Sequence, residues 1–187
     1  MCNNWPDFPI DVEGATGGLI GNTVIICGGT FKECYSLTSE KATLVTHMSI
    51  GRLDAASIVI NDNTLWVTGG YNHDGSSFVY LASTEYVTVT GNMLGPDLPM
   101  ALSDHAMVAI NSTCSMVIGG TDENWGNSAS TFFYDRNEGD WITGPSLLQR
   151  RYGHAAGMVT DEETGEHFVA VTGGSDSEFL DSTEILE

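Results

Sequence analysis

The stretch Ser115-Met116-Val117-Ile118-Gly119-Gly120 is an apolar run that ends in a glycine doublet. The same pattern occurs three more times, as Val24-Ile25-Ile26-Cys27-Gly28-Gly29, Leu65-Trp66-Val67-Thr68-Gly69-Gly70 and Val169-Ala170-Val171-Thr172-Gly173-Gly174. Successive doublets are 41, 50 and 54 residues apart. A β-rich run that ends in glycines is typical of a strand followed by a turn. Its recurrence at this period predicts a repeat protein in which each unit forms one small sheet.

Other features recur in phase with the doublets. A short segment of small residues precedes three of them, at Asp54-Ala55-Ala56, His105-Ala106-Met107 and His154-Ala155-Ala156. A second β-rich segment follows each doublet, and it begins with the same triplet, Ser-Thr-Glu, at residues 83–85 and 182–184. Several features in phase across four units favour four copies of one structural unit.

The third unit resembles the kelch repeat, in which a glycine doublet is followed by a Tyr and a Trp, and an Arg and a His open the next repeat. Here these are Gly119-Gly120, Tyr134, Trp141, Arg151 and His154. The second unit has no Trp in the expected fourth strand, and the fourth unit stops before reaching one. The resemblance covers essentially the whole chain.

The resemblance implies an all-β fold, a kelch-type β-propeller with four blades of antiparallel strands. The predicted repeats are residues 11–53, 54–103, 104–152 and 153–187. Residues 1–10 are a possible closing strand for the last blade. Two arrangements stay open at this point, a closed small ring and part of a larger propeller. In either arrangement, we expect Tyr134 and Trp141 to fill the space between neighbouring blades, which widen outward.

The chain is strongly acidic, with 6 Lys and Arg against 25 Asp and Glu and a net charge of −19. Nucleic acids and anionic membranes are attracted by cationic side chains, so both are disfavoured as partners. A cationic partner is favoured. The alternative is that the charge only keeps the domain soluble.

The loops after the doublets carry the predicted binding residues, because each combines an aromatic ring with a carboxylate. The residues concerned are Phe31, Tyr71, Asp74, Asp122, Trp125 and Phe179. Such loops suit the Lys or Arg side chains of a protein or basic peptide through charge and cation–π contacts, or a glycan through stacking. We expect all four loops to meet at one end of the propeller, around its central channel. The alternative is that the rings fold back over the blades as caps.

Three of the six basic residues, Arg52, Arg150 and Arg151, lie in the connections between successive units. Arg52 and Arg151 are therefore candidate ligand-binding residues that could hold a carboxylate in a bidentate manner. The alternative is that they pair with Asp54 or Asp104 and fix the connecting loops.

The sequence contains no catalytic constellation that we recognise. His105 and His154 occupy equivalent repeat positions, which favours a shared structural role, and the other histidines have no metal-site spacing. We therefore expect a non-catalytic protein- or peptide-binding module with no metal or cofactor. The alternative function is a glycan-binding protein or a carbohydrate-active or oxidase-type enzyme on the same scaffold.

Cysteines and a glycosylation sequon give a clue to the compartment. Cys27 and Cys34 flank the first glycine turn on strands that should be neighbours, so we expect them to lie within bridging distance. Asn111-Ser112-Thr113 is a sequon in a predicted turn. Both features favour an extracellular location, whereas Met1–Trp5 lack the features of a signal peptide. Cytoplasmic and extracellular locations both stay open.

Overall fold

The computed structural model describes residues 6–73 and 75–186, and every regular element of that part is a β-strand. Asp74 and the proposed closing segment Cys2–Trp5 lie outside the described residues. No helix in the described ranges is long and apolar enough to cross a membrane.

The strands form four antiparallel sheets, which we call blades 1 to 4. Blade 1 contains β1 (Ala15–Ile20), β2 (Thr23–Gly28), β3 (Glu33–Leu37) and β4 (Ala42–His47). The next stretch contains β5 (Ala56–Ile60), β6 (Thr64–Thr68), the hairpin β7 (Tyr71–His73) and β8 (Phe78–Tyr80), then β9 (Thr84–Thr88) and β10 (Gly91–Leu94). Blade 2 consists of β5, β6, β9 and β10, and the β7–β8 hairpin is an insertion between its second and third strands.

Blades 3 and 4 follow the same plan. The chain continues through β11 (Leu102–Ser103), β12 (Ala106–Ala109), β13 (Cys114–Ile118), β14 (Thr121–Asp122), β15 (Thr131–Asp135) and β16 (Asp140–Thr143). Blade 3 consists of β12, β13, β15 and β16, while β11 pairs with β14. Blade 4 contains β17 (Ala155–Thr160), β18 (His167–Thr172) and β19 (Thr183–Leu186).

The inner strands of successive blades pack side by side, β1 against β5, β5 against β12, and β12 against β17. The predicted all-β propeller of four blades is confirmed. Inner strands approach closely because small residues face the neighbouring blade: a Cβ on Gly18 of β1 would lie 2.6 Å from Val59 of β5. Strand β17 stands at the end of this row of inner strands, and four of its six residues are exposed.

Aromatic side chains fill the wedge between blades 2 and 3. Trp66 is fully buried, and its ring centroid lies 5.1 Å from that of Tyr134 and 5.8 Å from that of Trp141. The Trp66 indole N–H donates to Thr84 Oγ1 at 3.0 Å, so its one polar atom is satisfied. The predicted inter-blade role of Tyr134 and Trp141 is therefore confirmed. Rings of this size supply much of the apolar area on which a small sheet depends.

Both glycines of every doublet have positive φ, between 59° and 101°, a region that other residues rarely adopt. At Gly119 space is also lacking, because a Cβ there would lie 2.6 Å from the Arg151 carbonyl oxygen and 2.8 Å from the His154 ring. The doublet is where the end of one blade meets the chain entering the next.

We expect Gly119→Val to lower the free energy of unfolding by about 2 kcal/mol or more, through backbone strain and steric overlap. Gly91→Val is the matched control, because a Cβ on Gly91 would meet no heavy atom within 4 Å. Denaturant unfolding of the two variants checks this. Equal stabilities would contradict the role given to the doublets.

Cys27 and Cys34 form a disulfide between directly paired positions of β2 and β3, with Cα atoms 4.1 Å apart. The predicted strand pairing is confirmed, and both cysteines are buried in the blade 1 core. Asn111 lies in the exposed turn between β12 and β13, where its Oδ1 accepts hydrogen bonds from the backbone N–H groups of Thr113 and Cys114.

Candidate functional site

The loops after the doublets and the connections between blades share one end of the molecule, which we call the doublet end. A cleft of about 520 Å³ opens there between blades 2, 3 and 4. We call it the doublet-end cleft. It is lined by Asp54, Tyr71, Phe78, Tyr80, Asp104, Thr121, Trp125, Asn127, Tyr152 and Asp176.

Two aspartates from equivalent repeat positions, Asp54 and Asp104, are held by a backbone ladder that connects the blades. The Asp54 N–H donates to Gly14 O, the Asp104 N–H donates to Asp54 O, and the Gly153 N–H donates to Asp104 O, each at 2.9 Å. Both aspartates have φ of 52°, which Asp tolerates better than most residues. The ladder fixes both aspartates next to each other at the cleft.

The electrostatic environment of the cleft is negative and uncompensated. Burial raises the pKa of Asp54, and the charge of Glu13 raises it further, while a hydrogen bond from Tyr71 opposes this. Burial and the charge of Asp54 likewise raise the pKa of Asp104. Among the described residues that line the cleft there is no Lys, Arg or His. A cation at this position would relieve the repulsion between the two carboxylates.

Aromatic rings form one wall of the cleft. The Tyr80 ring lies 5.9 Å from Tyr71 and 5.6 Å from Trp125, and Phe78 lies 5.8 Å from Trp125, all between centroids. The β7–β8 hairpin supplies Tyr71, Phe78 and Tyr80, and the loop after β14 supplies Trp125. Trp125 is 67% exposed, so it extends the wall outward from the cleft.

Asp122 holds Trp125 in position. Its Oδ1 accepts hydrogen bonds from the backbone N–H groups of Asn124 and Gly126 at 2.8 and 2.9 Å. The Trp125 N–H donates to the Asp122 carbonyl, and Trp125 has φ of 61°. These bonds order the backbone of the loop from which the indole projects.

The four predicted aromatic positions do not all meet. Tyr71 and Trp125 line the doublet-end cleft, whereas Phe31 and Phe179, which are 41% and 96% exposed, do not. Asp122 orders the loop of Trp125, and Asp74 is not among the described residues. The loop of the fourth unit reaches the cleft through Asp176 and not through Phe179, and the cleft lies mainly on blades 2 and 3.

Arg52 and Arg151 are buried, with exposures of 1% and 0%, so neither is offered to a ligand. The Arg52 guanidinium donates to the carbonyl oxygens of Gly69 and Ser83 and forms an ion pair with Glu85 at 2.9 Å. The expected alternative, in which Arg52 pairs with Asp54 or Asp104, is wrong as well, because its partner is Glu85 in the third strand of blade 2.

Arg151 repeats this arrangement in blade 4, donating to the carbonyl oxygens of Gly173 and Ser182 and pairing with Glu184 at 2.7 Å. The second oxygen of that carboxylate accepts the Leu148 N–H. The recurring Ser-Thr-Glu triplet is explained by this arrangement. We call each such set, an arginine with its glutamate and two carbonyl groups, a corner clamp.

Sequence reasoning missed most of the cleft. Phe78 and Tyr80 lie on a hairpin with three paired positions, where the corresponding loops of blades 3 and 4 have a single bridge, and Tyr152 belongs to an inter-blade connection. Asp54 and Asp104 were considered only as partners of arginine. Their equivalent position in successive repeats, just before the inner strand, was the available signal.

Solved structures match this chain over nearly its whole length. One, described as "Structure of YjhT", is 15% identical, has a TM-score of 0.76, and aligns with 98% of this chain and 67% of that chain. No family model matches the sequence, and no curated protein is similar to it. At this identity the likeness shows the fold alone. Within residues 6–73 and 75–186, no three His, Cys, Asp or Glu side chains are grouped as they would be around a metal ion.

Proposed function

We propose that this chain is a kelch-type recognition module that binds a protein or peptide with basic side chains through the doublet-end cleft. The observation that carries the proposal is the cleft itself, where an aromatic wall stands beside uncompensated carboxylates. The kelch assignment is supported by the in-phase doublets, Tyr134 and Trp141, and by the four-bladed fold.

Preorganisation supports a binding role. The Asp122 hydrogen bonds order the backbone of the Trp125 loop, and the backbone ladder orders the backbone at Asp54 and Asp104. A partner therefore meets groups that are already ordered, and the entropy cost of binding is reduced. Tryptophan and tyrosine are also the side chains that most often dominate protein interfaces. The net charge of −19 adds long-range attraction for a basic partner.

A glycan is the second candidate, and the exposed face of Trp125 favours it. Sugars stack on indole rings, and the carboxylates of the cleft and the Asn127 side-chain oxygen could accept hydrogen bonds from sugar hydroxyl groups. The two candidates differ in their dependence on salt, because charge attraction is screened and stacking is not.

We expect peptides selected from a phage-displayed random dodecapeptide library to be enriched in Lys and Arg. Trp125→Ala should weaken the binding of the selected peptides by about 30-fold, which corresponds to about 2 kcal/mol. Phe179→Ala is the matched control, since Phe179 is as exposed as any aromatic residue here and lies outside the cleft. Calorimetry on the purified variants provides the measurement.

Raising the salt concentration from about 0.05 to about 0.5 M should markedly weaken the binding of a selected basic peptide. A glycan array could instead show binding that is insensitive to salt and lost in Trp125→Ala. The ligand would then be a sugar and not a peptide. Peptide affinity that is equal in Trp125→Ala and wild type would contradict the proposed site.

A further inference from the structure

The centre of the doublet-end cleft has the composition of a receptor for a single cationic group. Asp54 and Asp104 are half-buried neighbours, and the negative charge of Asp54 raises the pKa of Asp104. Asp176 also lines the cleft, where its Oδ1 accepts a hydrogen bond from the Asn127 amide at 2.9 Å, and Asp104 Oδ2 likewise accepts one from the Ser103 hydroxyl at 3.2 Å. What distinguishes Asp54 and Asp104 is the backbone ladder, which places them side by side, so that one positive charge interacts with two carboxylates.

The aromatic wall stands beside this pair. Tyr71 makes the physical connection, since its hydroxyl group hydrogen-bonds to Asp54 while its ring contacts Tyr80. Tyr80 in turn contacts Trp125 edge-to-face at 5.6 Å. A cation held by the carboxylates would thus lie among ring faces, where cation–π attraction adds to the charge attraction.

Resting on the function proposed above, we infer that the cleft takes one ammonium or guanidinium head group, a lysine or arginine side chain of the partner, between the aromatic wall and the carboxylates of Asp54 and Asp104. The volume of about 520 Å³ suits one long side chain with part of its own backbone. The methylene groups of that side chain lie along Tyr80 and Trp125, and the charged end reaches the two carboxylates.

A neutral ligand would fit this centre poorly. It would leave the mutual repulsion of Asp54 and Asp104 in place and would take water away from both carboxylates, which costs free energy. A cation removes the repulsion and replaces the lost hydration. The chemistry of the cleft therefore discriminates by charge as well as by shape.

Binding should be coupled to protonation. The charge of Glu13 favours protonation of Asp54, and the charge of Asp54 favours protonation of Asp104. Hydrogen bonds from Tyr71 to Asp54 and from Ser103 to Asp104 oppose protonation, but burial outweighs them. Tyr80, near which Asp122 adds negative charge, and Asp176 are the other titratable groups around the pair. Because burial and these charges raise the pKa of Asp54 and Asp104 above 3.8, protons displace the cation at a higher pH than ordinary aspartates would allow.

The test uses three capped tripeptides, acetyl-Gly-Arg-Gly-amide, acetyl-Gly-Lys-Gly-amide and the uncharged acetyl-Gly-norleucine-Gly-amide. Binding is followed through the indole N–H resonance of Trp125 in the ¹H–¹⁵N NMR spectrum. We expect the two basic tripeptides to bind at least about tenfold more tightly than the norleucine tripeptide. Their affinity should fall on acidification before an ordinary aspartate would be protonated.

The decisive variant is Asp54→Asn/Asp104→Asn, which removes both charges while keeping residues that tolerate positive φ. It should weaken the binding of both basic tripeptides by at least about tenfold without weakening the binding of the norleucine tripeptide. Glu162→Gln/Glu163→Gln is the matched control, because it removes the same net charge from the exposed turn between β17 and β18, at the other end of the blade. Thermal melts verify that both variants are folded.

Two outcomes overturn the inference, namely equal binding of the charged and uncharged tripeptides, and basic tripeptides that bind the Asn variant as tightly as the wild type. If library peptides still depend on Trp125 in either case, the recognition function stands with a different chemistry at the cleft centre. If neither tripeptides nor library peptides bind, the function itself is wrong.

Discussion

Replacing Arg151 by methionine is expected to lower the free energy of unfolding by about 3–5 kcal/mol, because it leaves Glu184 buried without its cation. The variant also leaves the carbonyl groups of Gly173 and Ser182 without the donor that now reaches them at 2.8 and 3.2 Å. Burial alone would raise the pKa of Glu184, but the Leu148 N–H, Arg151 and the Gln149 N–H together hold it below its usual value. Loss of Arg151 therefore also favours protonation of Glu184.

The neighbouring Arg150→Met variant is the control, since Arg150 is exposed and carries the same charge. Exposed substitutions of this kind change stability by about 0.5 kcal/mol or less. Urea unfolding of both variants gives the comparison. Should Arg151→Met fail to fold, Arg151→Lys retains the charge and loses only the forked donor geometry, and its intermediate stability can be measured. Arg150 and Arg151 variants of equal stability would show that the corner clamp does not hold blade 4.

Acidification from about pH 7.5 to about pH 5 is expected to lower the free energy of unfolding by about 4 kcal/mol through two histidines, His105 and His154. Burial and the neighbouring His154 lower the pKa of His105 to about 3, and burial and the Arg151 charge lower the pKa of His154 to about 4. In the unfolded chain both imidazoles take up a proton near the usual pKa of 6.5. The unfolded state thus binds more protons as the pH falls below 6.5, and stability is lost from there downward.

Carboxylates modify this pH dependence in known directions. The lowered pKa values of Glu85 and Glu184 remove stability only at more acidic pH, while the raised pKa values of Asp54 and Asp104 oppose the histidine effect. His105→Gln/His154→Gln should flatten the profile between about pH 5 and 7.5, and His167→Gln should not. Imidazole Cε1–H resonances of His105 that titrate near pH 6 in the folded protein would contradict the explanation.

The repeats were predictable because their signals are local. The turn after each strand depends on the conformational freedom of two adjacent glycines, such as Gly119 and Gly120. Four such doublets in phase therefore predict four sheets. The Cys27–Cys34 pairing followed from the same logic, since the two residues flank one hairpin turn.

The cleft was not predictable because it depends on how blades stand relative to one another. Arg52 and Glu85 are 33 residues apart, and only the blade corner brings them together. Asp54 and Asp104 become neighbours through the backbone ladder, which no single repeat contains. The β7–β8 hairpin is longer than the corresponding loops of units three and four, which are closed by single bridges, so repetition did not reveal Phe78 or Tyr80 as part of the wall.

Mapping the amide shifts of ¹⁵N-labelled protein with a library-selected basic peptide tests the central claim most directly. We expect the perturbed backbone amides to cluster at Asp54, Tyr80, Asp104, Trp125 and Tyr152, around the doublet-end cleft. Amides in the turns at the opposite end, such as Asn111 and Glu163, should stay unchanged. Perturbations centred on those turns, or on the exposed strand β17, would contradict the claim that the cleft is the binding surface.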